Sequence, residues 1–409
     1  MARPSRRAWS DGLPPELLAI IVLQLNCLAD RACFSAVCRA WRDAAPYADA
    51  PQRGVPWLLL PARDAPSFFS LHSGATRRMR LPDGVRGTRF CGVHDGGWAA
   101  VAADTWRGFA VVNLFTGVRL PLPEKLRVEV PPGGNHDQFA LAAGFTRHHM
   151  LIRTVVFSCP PTSPYCIAAA HVSSASNIAF CQPASLSTSW TAYRRDMDII
   201  QDLIFHRGAL LQGFHVLTNK EEVLVYAPTA PHRPGAPLKL ACTRYSLRPR
   251  DDYQPDDALP PTFIATRYLA ESRGKLLMVL RHYTGNPVVR RRTRMFRIFE
   301  LTFGEPAEPR RAATPCWWVE IPELTGRALF LGRSCSRSVD VAQFPMLQED
   351  TIYFLDDANL DLSMVLNNGS TYCNVDMGMY RKGEKIRPGA RQFPREFTAD
   401  CSPPIWLVP

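Results

Sequence analysis

The sequence has no apolar run near the ~18 residues that a membrane span needs. Residues 1–12 carry Arg, Pro and Asp and lack the apolar stretch of a secretory signal, so no export is expected. It has no CxxC pair and no HExxH, which removes the common zinc arrangements. It has no glycine-rich loop ending in GK[S/T], which removes the phosphate loop of nucleotide hydrolases. The twelve cysteines form no closely spaced framework: Cys33 and Cys38 lie in a helical stretch, Cys159 and Cys166 in a Pro-rich loop. Reduced thiols in the nucleus or cytoplasm fit that distribution. Asn368-Gly369-Ser370 matches a glycosylation acceptor but reads as a turn.

Catalytic signatures are missing too. LGRSCSRS, Leu331 to Ser338, approaches a nucleophile elbow, but Ser336 stands where the second glycine is needed and no strand-to-helix alternation surrounds it. It reads as a loop between blades. His148 and His149 are adjacent and on a strand would point to opposite faces, a poor arrangement for one metal. Asp356-Asp357 reads as an acceptor pair for turn amides. Trp317-Trp318 should put one ring in the core and the other at a rim or between blades. No catalytic residue, metal or cofactor is expected.

What the sequence has is positive charge and β texture. The formal net charge is +11, but it is scattered. The two concentrations are Arg3, Arg6 and Arg7, read as a solvated tail, and VVRRRTRMFR at 288–297, read as an Arg-rich hairpin or loop. No nucleic-acid or membrane partner is expected. An acidic patch on a protein partner suits the charge, with Arg290, Arg291, Arg292, Arg294 and Arg333 as candidate contacts.

The stretch DGLPPELLAIIVLQLNCLADRACFSAVCRAWRDAA, Asp11 to Ala45, is the exception to the β texture. Pro14 and Pro15 suit a helix start, and Glu16 complements the positive end of the helix dipole. Leu17, Leu18, Ile21 and Leu25 follow helical spacing, and Ile20 and Val22 widen the apolar face. Asp30 can cap a second helix, and Phe34, Val37, Cys38 and Trp41 form a second stripe with Arg39 and Arg42 beside it. So small a three-helix unit buries too little area to stand alone. It must pack on the rest of the chain or on a partner helix.

From Pro56 the chain becomes short apolar or alternating runs bounded by turn residues, such as WLLLP, SFFSLH, MLIRTVVFS, EEVLVYAP and GKLLMVLRHY. GWAAVAADTWRGFAVVNLFTGVRLPLP shows the grammar: strand, turn, strand, turn, strand. Echoes around 201–230, 272–322 and 350–388 indicate a β-propeller of about six blades, with a β-sandwich as the alternative. Pro-rich stretches near 160–165, 228–237 and 249–261 read as rim loops.

Leu13-Pro14, Glu16-Leu17-Leu18, Ile21, Leu25 and Val37-Cys38-Arg39-x-Trp41-Arg42 together resemble an F-box. PWLLLP, SFFSLH, LFTGVRLPLP, FRIFELTF and WWVEIPEL resemble plant F-box proteins with a KIB-type β-propeller, and ALFLGRSCSRSVDVAQFPMLQEDTIYFLDD, VDMGMYRKGEKI and PPIWLVP do so most closely. Residues 125–260 match least. The resemblance implies an F-box over 9–48 and a propeller over 56–409. It implies a substrate-recognition subunit of an SCF-type cullin–RING ubiquitin ligase, not an enzyme. Leu13, Pro14, Leu17, Leu18 and Ile21 would meet a Skp-type adaptor, and the propeller rim would hold an unknown target protein. Val37, Cys38 and Trp41 would mainly join the helices to one another, with some of them facing the adaptor. The alternatives are an adaptor-binding protein without a ligase role, as decoy or stabilising partner, and an enzyme using the propeller channel.

Overall fold

The computed structural model describes residues 13–25, 30, 34, 37–44, 55–64, 66–71, 74–104, 107–129, 145–147, 150–173, 178–185, 188–193, 199–208, 212–229, 238–245, 247, 263–284, 292–304, 315–356, 376–381, 393 and 402–408. Its strands form six sheets, the blades of a β-propeller. From the axis outward, blade 2 is Arg89–His94, Trp98–Ala102, Phe109–Asn113 and Arg119–Pro121. Blade 4 is Ile200–Arg207, Gln212–Thr218, Val223–Pro228 and Leu240–Tyr245, and blade 5 is Phe263–Ser272, Lys275–Thr284, Arg292–Phe303 and Cys316–Glu320. These three are plain antiparallel meanders.

The other three blades depart from the meander. Blade 1 joins the chain ends: Ile405–Leu407 is its innermost strand and pairs with Trp57–Leu60, followed by Ser67–Ser70 and Ala75–Arg78. Blade 3 runs Leu151–Phe157, Ala168–Ser173, Ile178–Cys181 and Ser189–Tyr193. It gains two outer strands, Lys125–Glu129 and Phe145–Arg147, the first parallel to Ser189–Tyr193. In blade 6 the chain enters at the second strand, Arg327–Leu331, and then forms the inner strand Arg337–Asp340. It crosses over to Thr351–Phe354, parallel to the second strand, and ends at Gly378–Arg381. The recurrences expected around 272–322 and 350–388 therefore begin too late. Blade 5 starts at Phe263 and blade 6 at Arg327, because the sequence echo follows the apolar middle strands and not the blade edges.

Burial explains the continuous apolar runs. Each blade is covered on both faces by its neighbours, so its middle strands lack polar alternation. WLLL, WAAVA, FAVVN, IAFC and TIYF are buried at every position. Outer strands face water and turn polar, as in the exposed Arg77 and Arg78 and the alternating Leu240–Tyr245. Apolar layers fill the spaces between blades 2 and 3, 3 and 4, 4 and 5, and 5 and 6, while a larger one joins blades 1, 2 and 6. The backbones of blades 2 and 3 approach closely at Gly92, where a Cβ would lie 2.0 Å from the Val155 carbonyl oxygen.

Two α-helices are defined among the described residues, α1 (Pro15–Gln24) and α2 (Arg39–Ala44). A third helix, expected between them, falls on a region of which only residues 25, 30 and 34 are described between α1 and Val37. Pro at the start of α1 and Glu16 in its first turn fit a helix N-terminus. Leu18, Val22, Phe34 and Ala44 form a small core with Leu13, Leu25 and Trp41 packed against it, and the rings of Phe34 and Trp41 lie 4.4 Å apart. Val37, expected to join the helices or to face the adaptor, is exposed at a turn ahead of α2.

Candidate functional site

Two surfaces merit attention: the flank of α1 and the mouth of the propeller axis. Of the five residues expected to meet a partner, Leu18 is buried in the helical core and Leu13 is half-buried beside it. Pro14, Leu17 and Ile21 are exposed, with Leu17 at 45%. Ile20, which the sequence reading used only to widen the apolar face, is 53% exposed. Leu17, Ile20 and Ile21 are thus apolar side chains left in water on one ten-residue helix.

The axial site is built from bulges. The inner strands of blades 2, 3, 4 and 5 all change register close to their starts, at Phe90/Gly92, Ile152/Thr154, Ile200/Asp202 and Ile264/Thr266. A bulge re-aims the side chains around it. In blade 3 the extra residue is Arg153, and in blade 4 it is Gln201 with Asp202 next to it. The loop 332–336 of blade 6 then reaches across blade 5. Ser334 donates to Asp202 Oδ1 from its amide (2.8 Å) and its hydroxyl (3.3 Å). Asp202 also accepts from its neighbour's amide, Leu203 N (2.9 Å), and from Leu269 N of blade 5 (2.8 Å). Ser334 holds this position with φ of +57°, a left-handed conformation that costs a residue with a Cβ. The loop expected between blades instead joins the second and inner strands within blade 6, and it ties that blade to blade 4 at the axis.

The cleft has a volume of about 450 Å³, open solvent included. Its walls include Arg89, Arg153, His171, Asp202, Arg333 and Ser334. Arg89 is 8% exposed; its Nη2 donates to the Ile152 carbonyl at 2.6 Å, while Nη1 is buried with no hydrogen-bond partner. Of the two candidate arginines whose side chains are described, Arg333 lines this cleft and Arg294 lies half-buried on the third strand of blade 5. The side chain of Arg292 lies outside the described residues, as do Arg3, Arg6, Arg7, Arg290 and Arg291, His148 and His149, Cys33, Asp357 and the 368–370 triplet. Asp356 accepts the amide of Asp376 at 3.1 Å. Trp318 is buried, its Nε1 donating to the Glu221 carbonyl of blade 4, and Trp317 is half-buried. Cys166 donates to the carbonyl of Cys159 (3.2 Å), and burial pushes its thiol up to about 12. Among the described residues, no group of three His, Cys, Asp or Glu is placed to hold a metal. No helix there is long and apolar enough to cross a membrane.

Burial sets the protonation of the inner groups. It lowers His94 to about 4, and it lowers His171 to about 3 with the help of the Arg153 and Arg333 charges. It also lowers His215 to about 4. Each imidazole refuses a proton that the unfolded chain takes up below about 6.5. Stability from these three is present above pH 6.5 and is lost as the pH falls toward 4. Asp202 acts in the opposite sense. Burial raises it to about 7, against the pull of three backbone amides and Arg333, so its contribution is present at acid pH and lost as the pH rises through 7. Near pH 5 these groups leave a net uptake of two protons on unfolding, a slope of about 3 kcal/mol per pH unit. Asp202→Asn removes the opposing proton, and the slope should steepen to about 4 kcal/mol per pH unit. Urea unfolding at pH 5 and pH 6 measures it. An unchanged slope in the variant would mean that Asp202 stays ionised throughout.

The family model described as KIB1-4 beta-propeller fits residues 68–381, from the second strand of blade 1 to the outer strand of blade 6. No curated protein matches the chain.

Proposed function

The chain belongs to the KIB1-4 β-propeller family, and from that premise we propose that it is the substrate-recognition subunit of an SCF-type cullin–RING ubiquitin ligase. The observation that carries this reading is the apolar flank of α1. Leu17, Ile20 and Ile21 lie in water, joined by the exposed Val37, while the core beneath them is small. Apolar area left open on a short helix is the half of an interface that a partner helix completes. The resemblance of residues 13–42 to an F-box names that partner as a Skp-type adaptor. The propeller is a rigid ring whose rim loops would hold a protein target. Its task would be proximity: binding substrate and adaptor on one chain raises the effective concentration of substrate lysines beside a charged conjugating enzyme. In this reading the protein is a binding module without catalytic groups or cofactor, and it works in the nucleus or cytoplasm.

The test is co-purification of the full chain with a Skp-type adaptor, wild type against Leu17→Asp/Ile20→Asp. Both positions are exposed, so the helices should fold as before. In the complex each new carboxylate would be buried unpaired, costing several kcal/mol, and adaptor binding should be lost. Equal recovery of adaptor with both proteins would refute the reading. Adaptor binding without ubiquitin transfer in a reconstituted ligase would favour the decoy or stabilising role.

A further inference from the structure

Blade 3 carries two cysteines at the neck of one rim loop. The loop 159–166 lies between the innermost strand, Leu151–Phe157, and the second strand, Ala168–Ser173. These strands pair antiparallel as far as Phe157 opposite Ala168. The pairing runs one step further: the Ser158 amide donates to the Ile167 carbonyl (2.9 Å), and the Ile167 amide donates to Ser158 Oγ (2.9 Å). Cys159 and Cys166 come next, opposite each other at a position without ladder hydrogen bonds. Cα atoms at such positions lie about 4.5 Å apart, with their side chains on one face. A disulfide spans Cα separations of about 4.4–6.8 Å.

Side-chain contacts agree with that placement. Cys166 Sγ donates to the Cys159 carbonyl (3.2 Å), and the Ser158 hydroxyl donates to Cys159 Sγ (3.9 Å). Burial raises the Cys166 thiol most, and the Cys159 sulfur raises it further, so the two sulfurs act on each other. The chain between them is fixed by two turns: the Ser163 amide donates to the Pro160 carbonyl (2.9 Å), and the Cys166 amide donates to the Ser163 carbonyl (3.0 Å). Access to the two sulfurs differs. Cys159 is half-buried and Cys166 is buried, so a reagent from solvent meets Cys159 first. Cys181 also acts on Cys166, but it is buried as well.

We propose that Cys159 and Cys166 are a redox-active dithiol, which a low-molecular-weight disulfide reversibly oxidises to a disulfide that closes the rim loop 159–166. Cys159 attacks first, as a thiolate. It forms a mixed disulfide and releases one small thiolate, which takes up the proton that Cys159 gave up. The Cys166 sulfur then attacks the Cys159 sulfur, and its proton leaves with the second small thiol. Two protein thiols are oxidised, and one small disulfide is reduced to two thiols. The closed loop would tether the exposed Pro164 and Tyr165 at its tip, so the rim would differ between the two redox states. The inference does not depend on the adaptor surface and stands or falls separately from it.

The experiment equilibrates the full chain in buffers of stepped ratio of oxidised to reduced glutathione. The reaction is quenched with acid, the remaining thiols are alkylated, and the protein is digested without reduction and weighed by mass spectrometry. Chymotrypsin, cutting after Phe157, Tyr165 and Phe180, puts Cys159, Cys166 and Cys181 on three separate peptides. The expected product is peptide 158–165 linked to peptide 166–180, rising with the ratio and lost on adding dithiothreitol. Cys166→Ala should stop the reaction at a glutathione mixed disulfide on Cys159. Cys159→Ser should leave Cys166 unmodified, and because Cys159 is only half-buried this variant decides the matter if Cys166→Ala fails to fold. No linked peptide at any ratio, a mixed disulfide that persists on Cys159 of the wild type, or linkage of Cys166 to Cys181 would overturn the pair. A link that forms only when reduced glutathione is absent would overturn its reversibility.

Discussion

Removing residues 405–409 should abolish the cooperative unfolding of the propeller. Ile405–Leu407 is the innermost strand of blade 1 and closes it with the C-terminal end of the chain. Without it, Trp57–Leu60 loses its inner partner and becomes an open edge, and the layer joining blades 1, 2 and 6 loses Ile405, Trp406 and Leu407. Trp406 is the centre of that loss. It is fully buried, its ring meets Phe330 and Phe393 edge-on, and its Nε1 donates to the Leu331 carbonyl at 2.9 Å. The single substitution Trp406→Ala should itself cost about 3–5 kcal/mol, with the orphaned carbonyl adding to the cavity. Urea unfolding followed by tryptophan fluorescence and by circular dichroism reads both effects. A truncated chain that keeps the wild-type midpoint would show that the ring does not need its closing strand.

Arg281→Leu should be nearly as damaging. Arg281 is completely buried on the second strand of blade 5. Its Nε donates to Thr293 Oγ1 (2.7 Å), and its Nη1 donates to Tyr268 Oη (3.0 Å) and to the Leu355 carbonyl (2.7 Å). Its Nη2 donates to the Asp376 carbonyl (2.7 Å) and to Asp376 Oδ2 (3.1 Å). The rings of Tyr283 and Phe354 lie 5.0 and 4.8 Å from the guanidinium carbon. Leu355 and Asp376 belong to the blade 6 side, so this one side chain fastens two blades. A leucine would leave a carboxylate, two hydroxyls and two carbonyls short of donors, and breaking a buried pair from one side costs about 3–5 kcal/mol. Asp376→Asn should cost less, because the Thr293 amide and hydroxyl still reach the remaining oxygen. A loss below about 1 kcal/mol for Arg281→Leu would show that the pair contributes little, since that is the usual worth of an exposed one.

The two variants also mark how far reading the sequence reaches. Runs such as WAAVA and FAVVN, with turns between them, announce strands buried on both faces, and their recurrence announces radial blades. Nothing near Arg281 announces Asp376, 95 positions later, and nothing near Asp202 announces Ser334, 132 positions later. VVRRRTRMFR read as an Arg-rich hairpin or loop; in the fold Thr293 is buried and Arg297 is paired with Glu320 on the neighbouring strand. A run of arginines does not reveal which of them alternate inward. LGRSCSRS was legible as a loop, while its crossing of the axis was not. In the helical stretch, spacing picked out the apolar residues but could not separate Leu18, which turns inward, from Leu17 and Ile20, which do not.

The sequence by itself determined the strands, the turns and the repeated layering, because these depend on residues within a few positions of one another. The tertiary structure decided which ends meet to close blade 1 and how the chain reorders blade 6. It also decided which arginines face the axis. Those features depend on bulges that re-aim single side chains and on contacts between residues far apart in the chain. No local pattern of apolar and polar residues encodes such meetings; they arise only when the ring is closed.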